Sequence, residues 1–121
     1  MIYLITGSAG FTGRRLIHNL LKNKNNFIYA IDLNSTALKH NNYVEYNVDL
    51  RSKNKINSIL KKIKKIDYII HTMALQPVNS KMQLKNYIIS NFITSTNLIS
   101  AISHLSLKKI IVCSSFSVYG K

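Results

Sequence analysis

Three glycines at even spacing, Gly7, Gly10 and Gly13, and a carboxylate at Asp32 are the residues whose types and positions point most directly to chemistry. The glycines lie in Thr6-Gly-Ser-Ala-Gly-Phe-Thr-Gly13. Before them comes an apolar run rich in strand formers, residues 2–5; after them Leu16, Ile17, Leu20 and Leu21 recur at helical spacing. A strand that turns sharply into a helix presents the helix's first N–H groups, which have no intrahelical partner, at the positive end of the macrodipole. A phosphate finds donors and a favourable field there. It comes close only where side chains are absent. On this reading Gly7 makes the tight turn, Gly10 opens the backbone to a pyrophosphate, and Gly13 lets helix and strand pack closely, with Ala9, Phe11 and Thr12 completing the loop.

The spacing is G-x-x-G-x-x-G, a loose match to the commoner G-x-G-x-x-G, but its context of strand, turn and helix is the required one. A second strand, Phe27–Ile31, delivers Asp32 and Leu33. An acid about 20 residues beyond such glycines is where a dinucleotide's ribose hydroxyl is bound. A carboxylate repels a 2′-phosphate, so the expected cofactor is NAD rather than NADP. Arg14 and Arg15 either soften that preference or lie on the solvated face of the first helix.

The remaining elements follow from periodicity. Residues 34–42 are polar and turn-prone, with one short helical turn expected near Ser35–Lys39. Residues 43–48 alternate as a third strand ending in Asp49-Leu50-Arg51, and Ser52 is placed to cap a helix with Ile56, Ile59, Leu60 and Ile63 on one face. Asp67–Ile70 reads as a fourth strand leading into His71-Thr72-Met73-Ala74, with Pro77 in the loop beyond. A long helix from about residue 82 to 102 is expected to place Ile88, Phe92, Ser95, Ile99 and Ile102 on one face. Lys109–Cys113 is the fifth strand, ending in Ser114-Ser115. Alternating strands and helices predict an α/β fold, a doubly wound parallel sheet in the order 3-2-1-4-5 with its switch point between strands 1 and 4. Every marked segment then sits at the carboxyl ends of strands, where ligands of such sheets bind.

The 121 residues are enough for one domain and one core, and 46% of them are hydrophobic, an ordinary globular share. No apolar stretch reaches the length of a membrane span and there is no signal-peptide pattern, so a cytoplasmic location is expected. The single cysteine, Cys113, offers no disulfide framework and reads as a small apolar residue of the fifth strand. His71 reads as a core or strand-end histidine, and no spacing suggests a metal site. Net charge is +13, from 17 Lys and Arg against 4 Asp and Glu, but only three of the basic residues are arginine. The lysines that accompany the second helix fall mostly on its polar faces, so they read as a solvated surface and nucleic acid is the lesser alternative.

Taken together, these segments resemble the extended short-chain dehydrogenase/reductases, the NAD-dependent epimerase/dehydratase family that acts largely on nucleotide sugars. Thr6–Gly13 is similar to its T-G-x-x-G-F-I-G, with Thr12 for isoleucine; Asp32 matches its ribose-binding acid and Asp49-Leu50 the pair that meets adenine. His71–Ala74 resembles H-x-A-A, with Met73 where a small residue is usual. Asn91 and Thr96-Asn97-Leu98 resemble the N-V-x-G-T-x-N-L helix, with Thr94 for glycine, and Cys113–Gly120 resembles S-S-x-x-V-Y-G. The resemblance implies that Thr72, Met73, Ala74 and Asn91 line the cofactor site and that Ser115 hydrogen-bonds the substrate's reacting hydroxyl or carbonyl.

The family's base is the tyrosine of a Tyr-x-x-x-Lys motif, and none of the seven tyrosines here has a lysine four residues on. Tyr119 belongs to the V-Y-G segment and is not that base. The resemblance thus covers the N-terminal, cofactor-binding part. Residues 1–121 are read as an incomplete NAD(P)-binding domain of a nucleotide-sugar epimerase- or dehydratase-like oxidoreductase, truncated after the fifth strand and inactive alone. Its partners would be a dinucleotide and a separately encoded C-terminal half, with homodimers in the full-length family. The alternatives are a non-catalytic NAD-binding protein or decayed gene remnant, and a basic nucleic-acid-binding module. An exposed sheet edge and low solubility are expected.

Overall fold

The computed structural model describes residues 1–74 and 83–114. Its elements run β1 (Ile2–Thr6), α1 (Phe11–Leu21), β2 (Phe27–Asp32), β3 (Tyr43–Asn47), α2 (Lys53–Leu60), β4 (Tyr68–His71), α3 (Leu84–Ile102) and β5 (Lys109–Val112). All strand pairs are parallel, and the sheet order is β3-β2-β1-β4-β5, as the alternation of elements predicts. The register sets Thr6 between Ile31 and His71, so the ends of β1, β2 and β4 lie side by side.

The inner strands are apolar on both faces because helices cover both. Leu4, Ile31 and Ile69 pack on one face with Ile56 and Leu60 of α2 and Leu98 and Ile102 of α3. Ile5, Ile28, Ala30 and Ile70 pack on the other with Ile17 of α1. Alternation along each strand divides the residues between the two layers.

The structure departs from the periodicity in three places. No helical turn forms at Ser35–Lys39. Glu45 of β3 draws that segment out instead, accepting from the Thr36 N–H and the Ser35 hydroxyl, both at 2.8 Å. Ala37 takes φ +56°, which a right-handed turn does not allow. Ser52 holds the N-cap position of α2, but its hydroxyl makes no capping bond. The Asp49 carboxylate turns the chain here by accepting from the Arg51 N–H at 2.8 Å, and the Asp49 carbonyl receives the Ser52 N–H.

The third departure is the larger one. Of the face expected to bury α3, Ile102 is buried, but Ile88, Phe92 and Ile99 are 58%, 66% and 59% exposed. Ser90, Thr94, Asn97, Leu98 and Ala101 face inward instead. The small Ser90, Thr94 and Ala101 let α3 approach α2 and the sheet, and Thr94 satisfies its hydroxyl on the Ser90 carbonyl at 2.6 Å. The apolar stripe is left beside β5, whose Ile110, Ile111 and Val112 are themselves 44%, 43% and 62% exposed.

Asp67 ties the amino ends of the strands together. Its carboxylate is 8% exposed, accepts the Ile2 N–H at 2.8 Å and has the Lys108 ammonium at 3.5 Å. The Ile2 N–H, more than the lysine, holds its carboxyl below the ordinary 3.8. A depressed carboxyl contributes stability that is complete above pH 3.8 and is lost as pH falls through the folded value. Melting temperature should therefore drop below pH 3.8, and Asp67→Asn should give a visibly shallower acid limb. Parallel acid limbs would show that Asp67 is not linked to folding.

Candidate functional site

The carboxyl ends of β1, β2 and β4 meet the amino end of α1 at a single rim. Gly7 leaves β1 at φ +74°, and its N–H bonds the Ile31 carbonyl at 3.0 Å. A side chain there is excluded twice: by the left-handed backbone and because a Cβ would lie 2.7 Å from the Thr72 hydroxyl and 2.8 Å from the Met73 nitrogen. At Gly13 a Cβ would stand 2.2 Å from the Gly7 carbonyl oxygen, so α1 and the turn touch backbone to backbone. Gly10 differs. It is the exposed N-cap of α1, and its Cβ would meet only the Gly7 oxygen, at 3.3 Å. Two glycines thus serve packing, and the third leaves the backbone open to the outside.

Asp32 clasps this loop to β2. Its Oδ2 accepts the Ala9 N–H at 3.0 Å and its Oδ1 the Asn34 N–H at 3.0 Å. An ionised carboxylate offers about four acceptor positions, so it retains room for hydroxyl donors. Leu33, next to it, is 55% exposed. Arg14 does not stand free at the rim. Its guanidinium bonds the Ala9 carbonyl at 2.8 Å and reaches the Thr36 and Ser35 carbonyls at 3.4 and 3.5 Å. Arg15 lies over the Phe11 ring, 4.9 Å from its centroid, and Phe11 is 77% exposed.

On the far side of β1 a cleft opens between the ends of β4 and β5 and α3, with Thr12, Thr72, Met73, Ala74 and Asn91 in its wall. The Thr72 hydroxyl donates to the Thr6 carbonyl at 2.8 Å, which locks the strand end against the glycine turn. Met73 is half-buried and packs against the α2–α3 core layer. Asn91 is half-buried at the cleft.

The two residues matched to an adenine contact each have partners within the chain. Arg51 grips the Asp49 carboxylate from Nε and Nη2, the latter at 2.6 Å, and these bonds hold the Asp49 carboxyl below its ordinary value. The Leu50 side chain is buried in the core. Ser115, Tyr119 and Pro77 lie outside the described residues.

The structure adds residues that periodicity did not single out for the site. Asn97, buried on α3, donates to the Leu50 and Arg51 carbonyls at 2.9 and 3.0 Å and so fastens α3 to the loop after β3. The sequence signal for it was the Thr96-Asn97-Leu98 match. Thr6, His71 and Ser95 form a polar contact across β1, β4 and α3. Among the described residues no group of three His, Cys, Asp or Glu side chains could hold a metal ion, and no helix is long and apolar enough to cross a membrane.

Known proteins share this fold. The UDP-glucuronic acid 4-epimerase of Bacillus cereus, solved in complex with UDP-glucuronic acid and NAD, superposes with a TM-score of 0.81 at 26% identity, over 100% of this chain and 42% of that one. A short chain dehydrogenase family protein from Francisella tularensis gives a TM-score of 0.84 at 21% identity over 99% of this chain and 53% of its own, a likeness of fold. In sequence, the GDP-6-deoxy-D-talose 4-dehydrogenase of Aggregatibacter actinomycetemcomitans is 33% identical over 99% of this chain. A UDP-glucose 4-epimerase of Cyamopsis tetragonoloba is 28% identical over 98%. The chain spans 37% of the length of each of these two relatives. The model of the NAD dependent epimerase/dehydratase family matches residues 3–121, and the chain belongs to that family.

Proposed function

We propose that this chain is the NAD-binding portion of a nucleotide-sugar epimerase- or dehydratase-like oxidoreductase. The observation that carries the reading is the open Gly10 N-cap beside Asp32, whose carboxylate already holds the glycine loop and keeps acceptor positions for a ribose. The N–H groups of the first turn of α1 would receive the pyrophosphate, Asp32 the adenosine ribose, and the cleft of Thr12, Thr72, Met73, Ala74 and Asn91 the nicotinamide end. When bound, NAD supplies a hydride acceptor and donor; the protein's share is binding, orientation and exclusion of water. NAD in the Bacillus cereus epimerase supports the cofactor assignment.

The chemistry also needs a proton acceptor. No tyrosine in these 121 residues is followed by lysine at the family's spacing, so the chain alone is expected to bind cofactor and turn over nothing. The exposed apolar stripe of α3 and the exposed β5 support a C-terminal region, in the same polypeptide or separately encoded, that packs there and brings the base. A non-catalytic NAD-binding protein is the second reading, favoured by Met73 in the cleft wall where the family has a small residue.

Calorimetry with NAD and NADP tests the proposal. NAD should bind more tightly than NADP, and Gly10→Val should abolish binding by filling the one open position of the turn while the fold persists. A folded chain that binds neither nucleotide would refute the cofactor assignment. Turnover of a nucleotide sugar by the isolated chain would refute its inactivity.

A further inference from the structure

His71 closes β4, is 5% exposed and joins three elements. Its Nδ1 meets the hydroxyl of Thr6, the last residue of β1, and its Nε2 lies 3.0 Å from the Ser95 hydroxyl on α3. The direction of these bonds follows from counting hydrogens. Ser95 has one hydroxyl hydrogen and gives it to the Asn91 carbonyl one turn back, at 2.8 Å. With its hydrogen so placed, Ser95 Oγ would accept from His71, which would put the ring proton on Nε2. Nδ1 is then a bare acceptor, and Thr6 donates to it. The chain of hydrogen bonds runs from Thr6 through His71 and Ser95 to the Asn91 carbonyl, which accepts, from the centre of the sheet to the turn of α3 that borders the cleft.

We propose that His71 is a positioning residue: as the neutral Nε2–H tautomer it ties β1 to α3 and sets where α3 presents Asn91 to the cleft. Asn97 fastens α3 to the loop after β3 further along the helix, and buried Ser90 and Thr94 pack the helix inward; the His71 ring is what joins β1 to the turn that follows Asn91. An imidazolium would place a second donor against Thr6, whose hydroxyl is fully buried. Among the described residues, the side chains that border the ring include no carboxylate, lysine or arginine: Thr6 from β1, Ser95 from α3, the Thr72–Ala74 segment, Val112 at the end of β5 and Cys113 after it. Burial holds the imidazole below its ordinary 6.5, in the direction the chain requires.

The proposal rests on the cofactor reading only for its binding arm, so the test uses the ring itself. Nitrogen-15 NMR of the full chain at neutral pH, with the His71 signal assigned by its absence in His71→Gln, should show the Nε2–H tautomer. An Nδ1–H ring, an imidazolium or an even mixture would overturn the proposal. Ser95→Ala, which leaves His71 in place and removes its acceptor, should abolish the preference for that tautomer. It should also raise amide exchange in α3 around Asn91 about five- to hundredfold, the range for an orphaned buried donor. Retention of both tautomer and protection would overturn the proposal. His71→Asn, which keeps an acceptor for Thr6 but cannot reach Ser95, should loosen α3 in the same way; His71→Gln, which restores a donor to Ser95, should recover most of the protection. Weakened NAD binding in Ser95→Ala would extend the effect to the cofactor. Absence of NAD binding in the parent chain would refute the cofactor reading while the NMR and exchange results still decide the role of His71.

Discussion

Gly13→Ala should be among the most damaging single substitutions in this chain. The added methyl would stand 2.2 Å from the Gly7 carbonyl oxygen, 2.8 Å from the Ser8 Cα and 2.9 Å from the Gly7 carbonyl carbon. All three are backbone atoms, so no rotamer relieves the clash. The turn cannot retreat either, because the Gly7 N–H is bonded to Ile31 and the Thr72 hydroxyl braces the strand end behind it. Helix α1 must move away instead, and Ile17, 1% exposed between α1 and the sheet, loses its packing. Overpacking costs about 1–3 kcal/mol, occasionally more. Backbone contacts on both sides put this case at about 3 kcal/mol or above, a large part of the roughly 5–15 kcal/mol that holds a typical domain together. Urea denaturation of parent and variant measures it. A loss under about 1 kcal/mol would mean that α1 slides without cost and that the close contact is not a packing constraint.

The second large effect is expected on binding. Asp32→Ala should weaken NAD about 10- to 100-fold, because a hydrogen bond to a charged group is worth about 1.5–3 kcal/mol and each 1.4 kcal/mol is tenfold. Two losses add. The ribose loses its acceptor, and the Ala9 and Asn34 N–H groups lose the carboxylate that holds the glycine loop at 3.0 Å from each. Asp32→Asn separates them. The amide keeps the shape and one acceptor oxygen, so the loop should keep one of its two bonds, to Ala9 or to Asn34, while the charge that rejects a 2′-phosphate disappears. NAD should then weaken less than in the alanine variant, and the preference for NAD over NADP should shrink. Arg14 bonds the carbonyls of residues 9, 35 and 36, so relaxed discrimination, not a reversal toward NADP, is the expected outcome. Unchanged NAD affinity in Asp32→Ala, measured by calorimetry, would remove Asp32 from the site.

Both predictions concern residues that were visible from the sequence, and the reason is local. A turn that needs φ +74° and a helix that touches the turn's backbone permit only glycine, so Gly7 and Gly13 are written into the chain itself. Strand and helix periods differ, and their alternation determined a parallel sheet in the order β3-β2-β1-β4-β5. That order alone brings Gly7, Asp32 and His71 to one rim.

Tertiary structure decided what period cannot express. Apolar residues surround most of α3, so its pattern does not tell which side meets the sheet; close packing against α2 chose the side with Thr94 and Ala101 and left Phe92 exposed. The segment at Ser35–Lys39 has helix-compatible residues, but Glu45, ten positions beyond Ser35 and on another element, holds the Ser35 hydroxyl and the Thr36 N–H against β3, and Ala37 leaves the right-handed region at φ +56°. Asp49 was legible as a strand-end acid and not as the partner that Arg51 occupies. The two hydrogen-bond partners of the buried His71 ring are Thr6, 65 residues earlier, and Ser95, 24 residues later. Elements follow from neighbours in sequence. The state of a buried polar group follows from neighbours in space, and those exist only once the sheet has closed over them.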